Sequence, residues 1–327
     1  MNPLREVVDG ERSVALVREI LRVEGGGPPI AVERTTLPGG PTRRVVLLIH
    51  GLAQNRYTWR VSKRSLVARL AEEGFDVRNV ELRGHGTSRS WGSGNARSFE
   101  EYVEDLVRVI DTCEAPPFAV GHSLGAGVAI GAATRRPLAG LVHLAGLFVF
   151  ARRNRALRGL AHLTLAAEPV LRLAPVRLST GWAGDLIGRL YAVSDIAGFG
   201  FPIAGWSPGS MERELLAERL ALGFDWTSTE VWLEMSRWAT GTEFAYTAAF
   251  GALDVPLLVL AGDHDRLVPP EDARACFAAS GSTDKEIVIF DAYDHRVHWG
   301  HVDLILGREA PAVVWPVLVR WLLERSP

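Results

Sequence analysis

Six short apolar runs recur along this chain, and five of them are followed by a segment of helical periodicity. RRVVLLIHG (43–51) is continuously apolar and stops at glycine, as a strand buried on both faces does. KRSLVARLAEEG (63–74) then places apolar residues at helical spacing and ends at Gly74, a suitable C-cap. The pattern repeats. FDVRNVELRG (75–84) reads as a strand, and SFEEYVEDLVRVIDTCE (98–114) as a helix opened by a Ser98/Glu101 capping box. PFAVGHS (117–123) is a strand, Leu124 to Arg136 a helix, and 138–150 contains another strand. Later, VPLLVLAGD (255–263) and EIVIFDAY (286–293) are strands. The helices that follow them are 269–280, begun by Pro269 or Pro270, and 311–326, where Pro316 should mark a kink or a boundary. Such alternation predicts an α/β fold: a doubly wound, mostly parallel sheet with helices on both faces. In such sheets ligands bind beyond the C-terminal strand ends.

Residues 151–250 break the rhythm and carry Trp182, Trp206, Trp226, Trp232 and Trp238, half of the ten tryptophans. The expected organisation is a core formed by 1–150 and 251–327, with 151–250 inserted as a mainly helical cap. Arg152, Arg153, Arg155 and Arg158 open that insertion as a solvated basic face. Over the whole insertion ten arginines balance ten acidic residues, so net charge gives no argument for an anionic substrate.

Bulk composition narrows the classes. At 327 residues and 47% hydrophobic content the chain can bury a large core. A net charge of −2 gives no reason to expect nucleic-acid binding. Lys63 and Lys285 are the only lysines beside 34 arginines, a bias of composition. Cys113 and Cys276 share no metal-ligand spacing and read as free thiols of a reducing compartment. The charged N-terminus has no signal-peptide h-region. The longest apolar run, Leu138 to Ala151, is too short to span a bilayer and carries His143. A cytoplasmic protein is expected, with its oligomeric state open.

Chemistry gathers at the predicted strand ends. In AVGHSLGAGVAIG (119–131), Ser123 stands between Gly121 and Gly125 where a strand becomes a helix. This is the context of a nucleophile elbow, a strained turn that exposes one hydroxyl. Side chains two before and two after would collide with the neighbouring strand and helix, and glycine removes them. The following helix aims its N–H groups and positive dipole end at the serine. A serine hydroxyl needs a base. The chain supplies an acid in AGDHDRLVPP (261–270), then histidines in AYDHRVHWGHVDLILG (292–307), in the order Ser, Asp, His.

LLIHGLAQNRYTW, VELRGHGTS, VGHSLGAG, LVLAGDHDRLVP and WGHVDLILGREAP together resemble the α/β-hydrolase family, from about residue 43 to the C-terminus. The likeness is greatest to its acid-lipase and polyhydroxyalkanoate-synthase-like branches. Those synthases carry cysteine at the elbow, so Ser123 favours hydrolysis over polymerisation. The resemblance makes Ser123 the nucleophile. It makes Asp265 the acid, with Asp263 as rival, and His301 the base, chosen over His295 and His298. His122 and His264 become packing or pocket residues, and RGHG (83–86) a structural loop. The oxyanion donors it implies are the backbone N–H groups of Leu52, in HGLAQ, and Leu124. The implied activity is hydrolysis of small-molecule carboxylic esters with an apolar acyl or alcohol part, without metal or organic cofactor. Acyl transfer, perhydrolysis and C–C hydrolysis are the enzymatic alternatives. A silent binding scaffold is the non-enzymatic one. Dehalogenase and epoxide-hydrolase chemistry would need aspartate at position 123.

Overall fold

The computed structural model describes residues 3–151, 153–173, 205–225 and 228–326. Trp182, Trp226 and Arg152 of the insertion lie outside them. The strands are β1 (Leu4–Asp9), β2 (Arg12–Val23), β3 (Ile30–Thr36), β4 (Val45–Ile49), β5 (Arg60–Val61), β6 (Arg64–Ser65), β7 (Asp76–Glu81), β8 (Phe118–His122), β9 (Gly140–Leu144), β10 (Leu257–Gly262) and β11 (Lys285–Phe290). They form one sheet in the order β11-β10-β9-β8-β4-β7-β3-β2-β1-β6-β5. The six strands foreseen from the apolar runs, β4 and β7 to β11, pair in parallel.

β1, β2, β3, β5 and β6 add an antiparallel wing that the apolar runs do not announce. β2 is mostly half-buried or exposed along its length, so its sequence is interspersed with arginine and glutamate and carries no continuous apolar run. The same wing shortens the first predicted helix. Arg64 and Ser65 are spent in β6, and α1 (Leu66–Glu72) begins where Ser65 accepts the Ala68 N–H at 3.0 Å. Gly74, at φ +90°, ends it as foreseen: its N–H reaches Ala71 O and that of Phe75 reaches Leu70 O, a Schellman arrangement.

The remaining helices of the first half are α2 (Gly86–Ser90), α3 (Phe99–Ile110) and α4 (Leu124–Ala133). Ser98 does stand at the N-cap of α3 but makes no capping bond. Glu101 reaches back to the Arg97 N–H instead, at 2.7 Å, and Glu234 from the insertion caps Phe99 at 3.1 Å. Between β9 and β10 the described residues form α5 (Arg155–Ala166), α6 (Glu168–Leu173), α7 (Arg213–Leu222), α8 (Thr229–Ala239) and α9 (Thr247–Gly251). α10 (Pro270–Ala279), α11 (Asp303–Leu306) and α12 (Ala310–Glu324) complete the chain. Pro316 does not divide α12. Pro316 and Ala312, whose carbonyl it leaves without a donor, are both exposed, so water can serve that carbonyl.

Alternate side chains of the central strands enter two cores. Leu47 and Ile49 join Val103, Leu106 and Val128 on one face. Val46 and Leu48 join Leu70, Trp315 and Leu318 on the other. Burial on both faces accounts for the unbroken apolar runs. After β4 the chain runs out to β5 and β6 at the sheet edge, returns as β7 on one side of β4, and then forms β8 on the other. The loops after β4 and β8 therefore diverge and leave a crevice at this switch point.

Candidate active site

Ser123 occupies the turn between β8 and α4 with φ 55° and ψ −124°. A side-chain-bearing residue is strained there, and the surroundings hold it. Its N–H donates to Leu144 O at 3.2 Å, and its carbonyl accepts from Leu147 N at 2.8 Å. The glycine spacing has a measurable cause. A Cβ on Gly121 would lie 2.4 Å from Ala126 Cα, and one on Gly125 would lie 2.3 Å from Ile49 O and 2.5 Å from His50 O.

Both candidate acids find a histidine, but in different settings. Asp265 Oδ2 accepts from His301 Nδ1 at 2.7 Å, with both side chains buried. Its other oxygen accepts the N–H groups of Leu267 and Val268 at 2.8 and 2.9 Å, which fixes the carboxylate in plane and position. A carboxylate can only accept, so the neutral His301 carries its proton on Nδ1 and leaves Nε2 with a free lone pair. Asp263 pairs instead with the exposed His298, Nδ1 to Oδ2 at 2.5 Å, and accepts the Trp299 N–H. His264 stacks on His298 at 3.7 Å. Asp263, His264 and His298 offer donor atoms within 4.8 Å of one another, the metal-type grouping found among the described residues. His295 Nδ1 accepts the Asp291 N–H at 3.3 Å, just past the end of β11.

His122 is buried between the loops. Its Nε2 donates to His301 O at 3.1 Å, and its Nδ1 lies 3.3 Å from Gln54 Oε1. Burial, and then the neighbouring His301, hold its pKa well below that of an ordinary imidazole. It acts as a neutral strut. RGHG is likewise structural: Arg83 grips Asp105 through two bonds of 2.7 and 2.8 Å.

The HGLAQ loop closes over the serine from the β4 side. Gln54 N–H reaches Gly51 O at 3.3 Å, and Ala53 between them has φ 55°, as the third residue of a type II turn requires. A Cβ on Gly51 would stand 2.9 Å from Ser123 Cβ, so this loop packs directly on the elbow. Leu52 sits in that turn. Leu124 is the first residue of α4, where an N–H has no acceptor within the helix.

Ser123, His301 and Leu52 line one cavity of about 150 Å³. Its walls are otherwise mostly apolar, with Leu147, Phe150, Leu157, Trp206, Leu216, Phe224, Trp232 and Met235 among them beside the polar Gln54 and Arg219. Trp206 and Trp232 therefore face the cavity. Trp238 packs on Phe99 and Phe244 in the core. Asp263 and His298 are not part of the lining. Arg219 of α7 is, and it is 1% exposed. Sequence reasoning overlooked it because the balanced charge of the insertion averages over it. The available signal was its register: Leu215, Leu216, Arg219 and Leu220 share one helical face.

The crossover at β4, the strained strand-to-helix turn at Ser123 and the buried Asp265–His301 pair define an α/β scaffold with its polar site at the strand ends. The family model of the alpha/beta hydrolase family matches residues 46–311, and the chain belongs to that family. Monoacylglycerol lipase of Mycolicibacterium smegmatis is 26% identical over 279 residues, 83% of this chain and 88% of that protein. An uncharacterised abhydrolase-domain protein of Dictyostelium discoideum is 24% identical over 81% of this chain, which spans a quarter (25%) of the relative's length. The match to epoxide hydrolase B of Mycobacterium tuberculosis, 36% identical, takes in 26% of this chain and 23% of that protein. Among solved structures, a soluble variant of monoglyceride lipase from Saccharomyces cerevisiae superposes with a TM-score of 0.67 at 16% identity, covering 95% and 96% of the two chains. Monoacylglycerol lipase of Paleococcus ferrophilus gives 0.63 at 22% identity, covering 94% and 99%. These two likenesses establish a shared fold.

Proposed function

We propose that this chain is a serine hydrolase of carboxylic esters with an apolar acyl or alcohol part, working through an acyl-enzyme on Ser123. The observation that carries this reading is the convergence of Ser123 and the buried Asp265–His301 pair on one apolar cavity. His301 Nε2 takes the hydroxyl proton as Ser123 Oγ attacks the carbonyl carbon. The oxyanion rests against the N–H groups of Leu52 and Leu124, within the field of the α4 N-terminus. His301 returns the proton to the leaving alcohol, and water then cleaves the acyl-enzyme by the same base. Asp265 holds the imidazole and stabilises its charged form. Residues 151–250 serve as the cap that walls the acyl site, on a core of 1–150 and 251–327. The likeness to monoacylglycerol lipase over most of the chain supports an ester with an apolar chain.

The test is labelling with a fluorophosphonate probe, with p-nitrophenyl esters of two to sixteen carbons as substrates. Labelling lost in Ser123→Ala, together with ester turnover by wild type, is the expected result. Absence of labelling in well-folded wild type overturns the nucleophile. Labelling without turnover moves the chemistry to another acyl donor or acceptor.

A further inference from the structure

Among the described residues, Arg219 is a buried cation without an anion. None of its three guanidinium nitrogens has a hydrogen-bond partner among the described residues. Its neighbour is the face of Phe224, 5.2 Å from the guanidinium carbon, which attracts a cation but does not neutralise it. Burial lowers its pKa to about 10, so it is still charged at neutral pH. A cation taken out of water this way is costly unless something pairs with it.

The surrounding structure is nevertheless built around it. Gly223 leaves the room: a Cβ there would fall 1.6 Å from Arg219 Nη1. α7 is tied down at both ends. At its start, Glu212 takes two bonds from Arg64, at 2.8 and 2.9 Å. At its end, Asn55 Nδ2 donates to Leu222 O at 2.9 Å, and Asp225 N–H donates to Ala53 O at 2.8 Å. Arg219 is thereby held against the HGLAQ loop, and its charge helps keep His50 and His122 neutral. Among the described residues that line the cavity with Ser123, it is, apart from His301, the one side chain able to carry charge.

We propose that Arg219 receives a carboxylate carried by the substrate, so that the preferred substrates are esters bearing one free carboxylate near the scissile bond. This rests on the ester-hydrolase reading of the same cavity. A guanidinium fork matches a carboxylate bidentately. A single positive charge in an apolar chamber balances a monoanion and leaves a phosphate monoester's second charge unpaired.

The test compares matched esters. Mono-p-nitrophenyl glutarate against p-nitrophenyl valerate places the charge on the acyl arm. 4-Carboxyphenyl acetate against phenyl acetate places it on the alcohol arm. Wild type should prefer the charged member of at least one pair by about tenfold or more in kcat/KM. Arg219→Met should lower that preference about a hundredfold, and Arg219→Lys should restore part of it. Glutarate alone should slow fluorophosphonate labelling and raise Tm in wild type but not in Arg219→Met. An unchanged ratio in Arg219→Met, or a wild type that prefers both neutral esters and ignores glutarate, overturns the proposal. If Arg219→Met does not fold, the wild-type ratios and the glutarate response still decide. Failure to cleave any ester refutes the ester-hydrolase reading, whereas protection by glutarate reports on Arg219 separately.

Discussion

Replacing Gly125 by alanine sets local propensity against packing. Gly125 is the second residue of α4, where alanine is worth about 1 kcal/mol more than glycine. The new Cβ, however, would stand 2.3 Å from Ile49 O and 2.5 Å from His50 O, and neither is a movable side chain. Restoring even 3.0 Å requires the end of β4 to retreat by about 0.7 Å. β4 is held on both flanks, Ile49 facing Val80 in β7 and Gly121 in β8. Overpacking costs about 1–3 kcal/mol, and two strained backbone bonds add about 1 kcal/mol each. After the helix gain, the net loss is about 2–4 kcal/mol. The retreat also carries Leu52 away from Ser123, and misplacement on that scale costs about 10²-fold in rate. Urea denaturation and fluorophosphonate labelling kinetics measure the two effects. Gly159→Ala is the control: it is an exposed position in α5 with nothing within 4 Å of the new Cβ, and it should gain about 0.5–1 kcal/mol. A Gly125→Ala protein of wild-type stability and labelling rate would refute the steric account of the elbow.

Two further outcomes follow from the paired acids and the buried histidines. Asp265→Asn should lower kcat on p-nitrophenyl esters by about 10³–10⁴ with little change in fold, because the amide no longer fixes the Nδ1–H tautomer; Asp263→Asn should stay within about threefold, and equal losses would reverse the assignment. His143, fully buried in β9, has a pKa lowered by burial from 6.5 to about 4. The unfolded chain therefore takes up a proton that the folded one refuses, and His143 removes stability as pH falls from 6.5 towards 4, by about 3 kcal/mol at the acid end. His143→Leu should flatten that part of the stability profile in urea titrations at pH 4.5 and pH 7. An unchanged pH slope would show that His143 is not the group responsible.

The parallel half of the sheet was legible because strands buried on both faces leave continuous apolar runs, as in RRVVLLIHG and VPLLVLAGD. The elbow was legible because Gly121, Ser123 and Gly125 lie within five consecutive residues, although only the Gly121 clash, with Ala126, is local; Gly125 makes room for Ile49 and His50 at the end of β4. The antiparallel wing was not, because β1 and β2 are half-exposed and their charged residues pair across strands, as Arg18 does with Glu6. The Ser98 capping box failed for a related reason: Glu101 turns to the Arg97 N–H, and the helix start is capped at Phe99 by Glu234, 135 residues away.

By itself, then, the sequence determined the α/β rhythm, the glycine-flanked turn at Ser123 and the candidate acids and bases. Each is written as a pattern among neighbouring residues, even where its steric cause, as at Gly125, lies in a distant strand. Tertiary structure supplied the physical ground for separating the two aspartates, since Asp263 and Asp265 differ by two positions but face the exposed His298 and the buried His301. It also decided that Arg219, one charge in a balanced insertion, is enclosed in the cavity of Ser123. Burial and pairing are relations between distant segments, and the free energy of a charge depends on its surroundings more than on its neighbours in the chain.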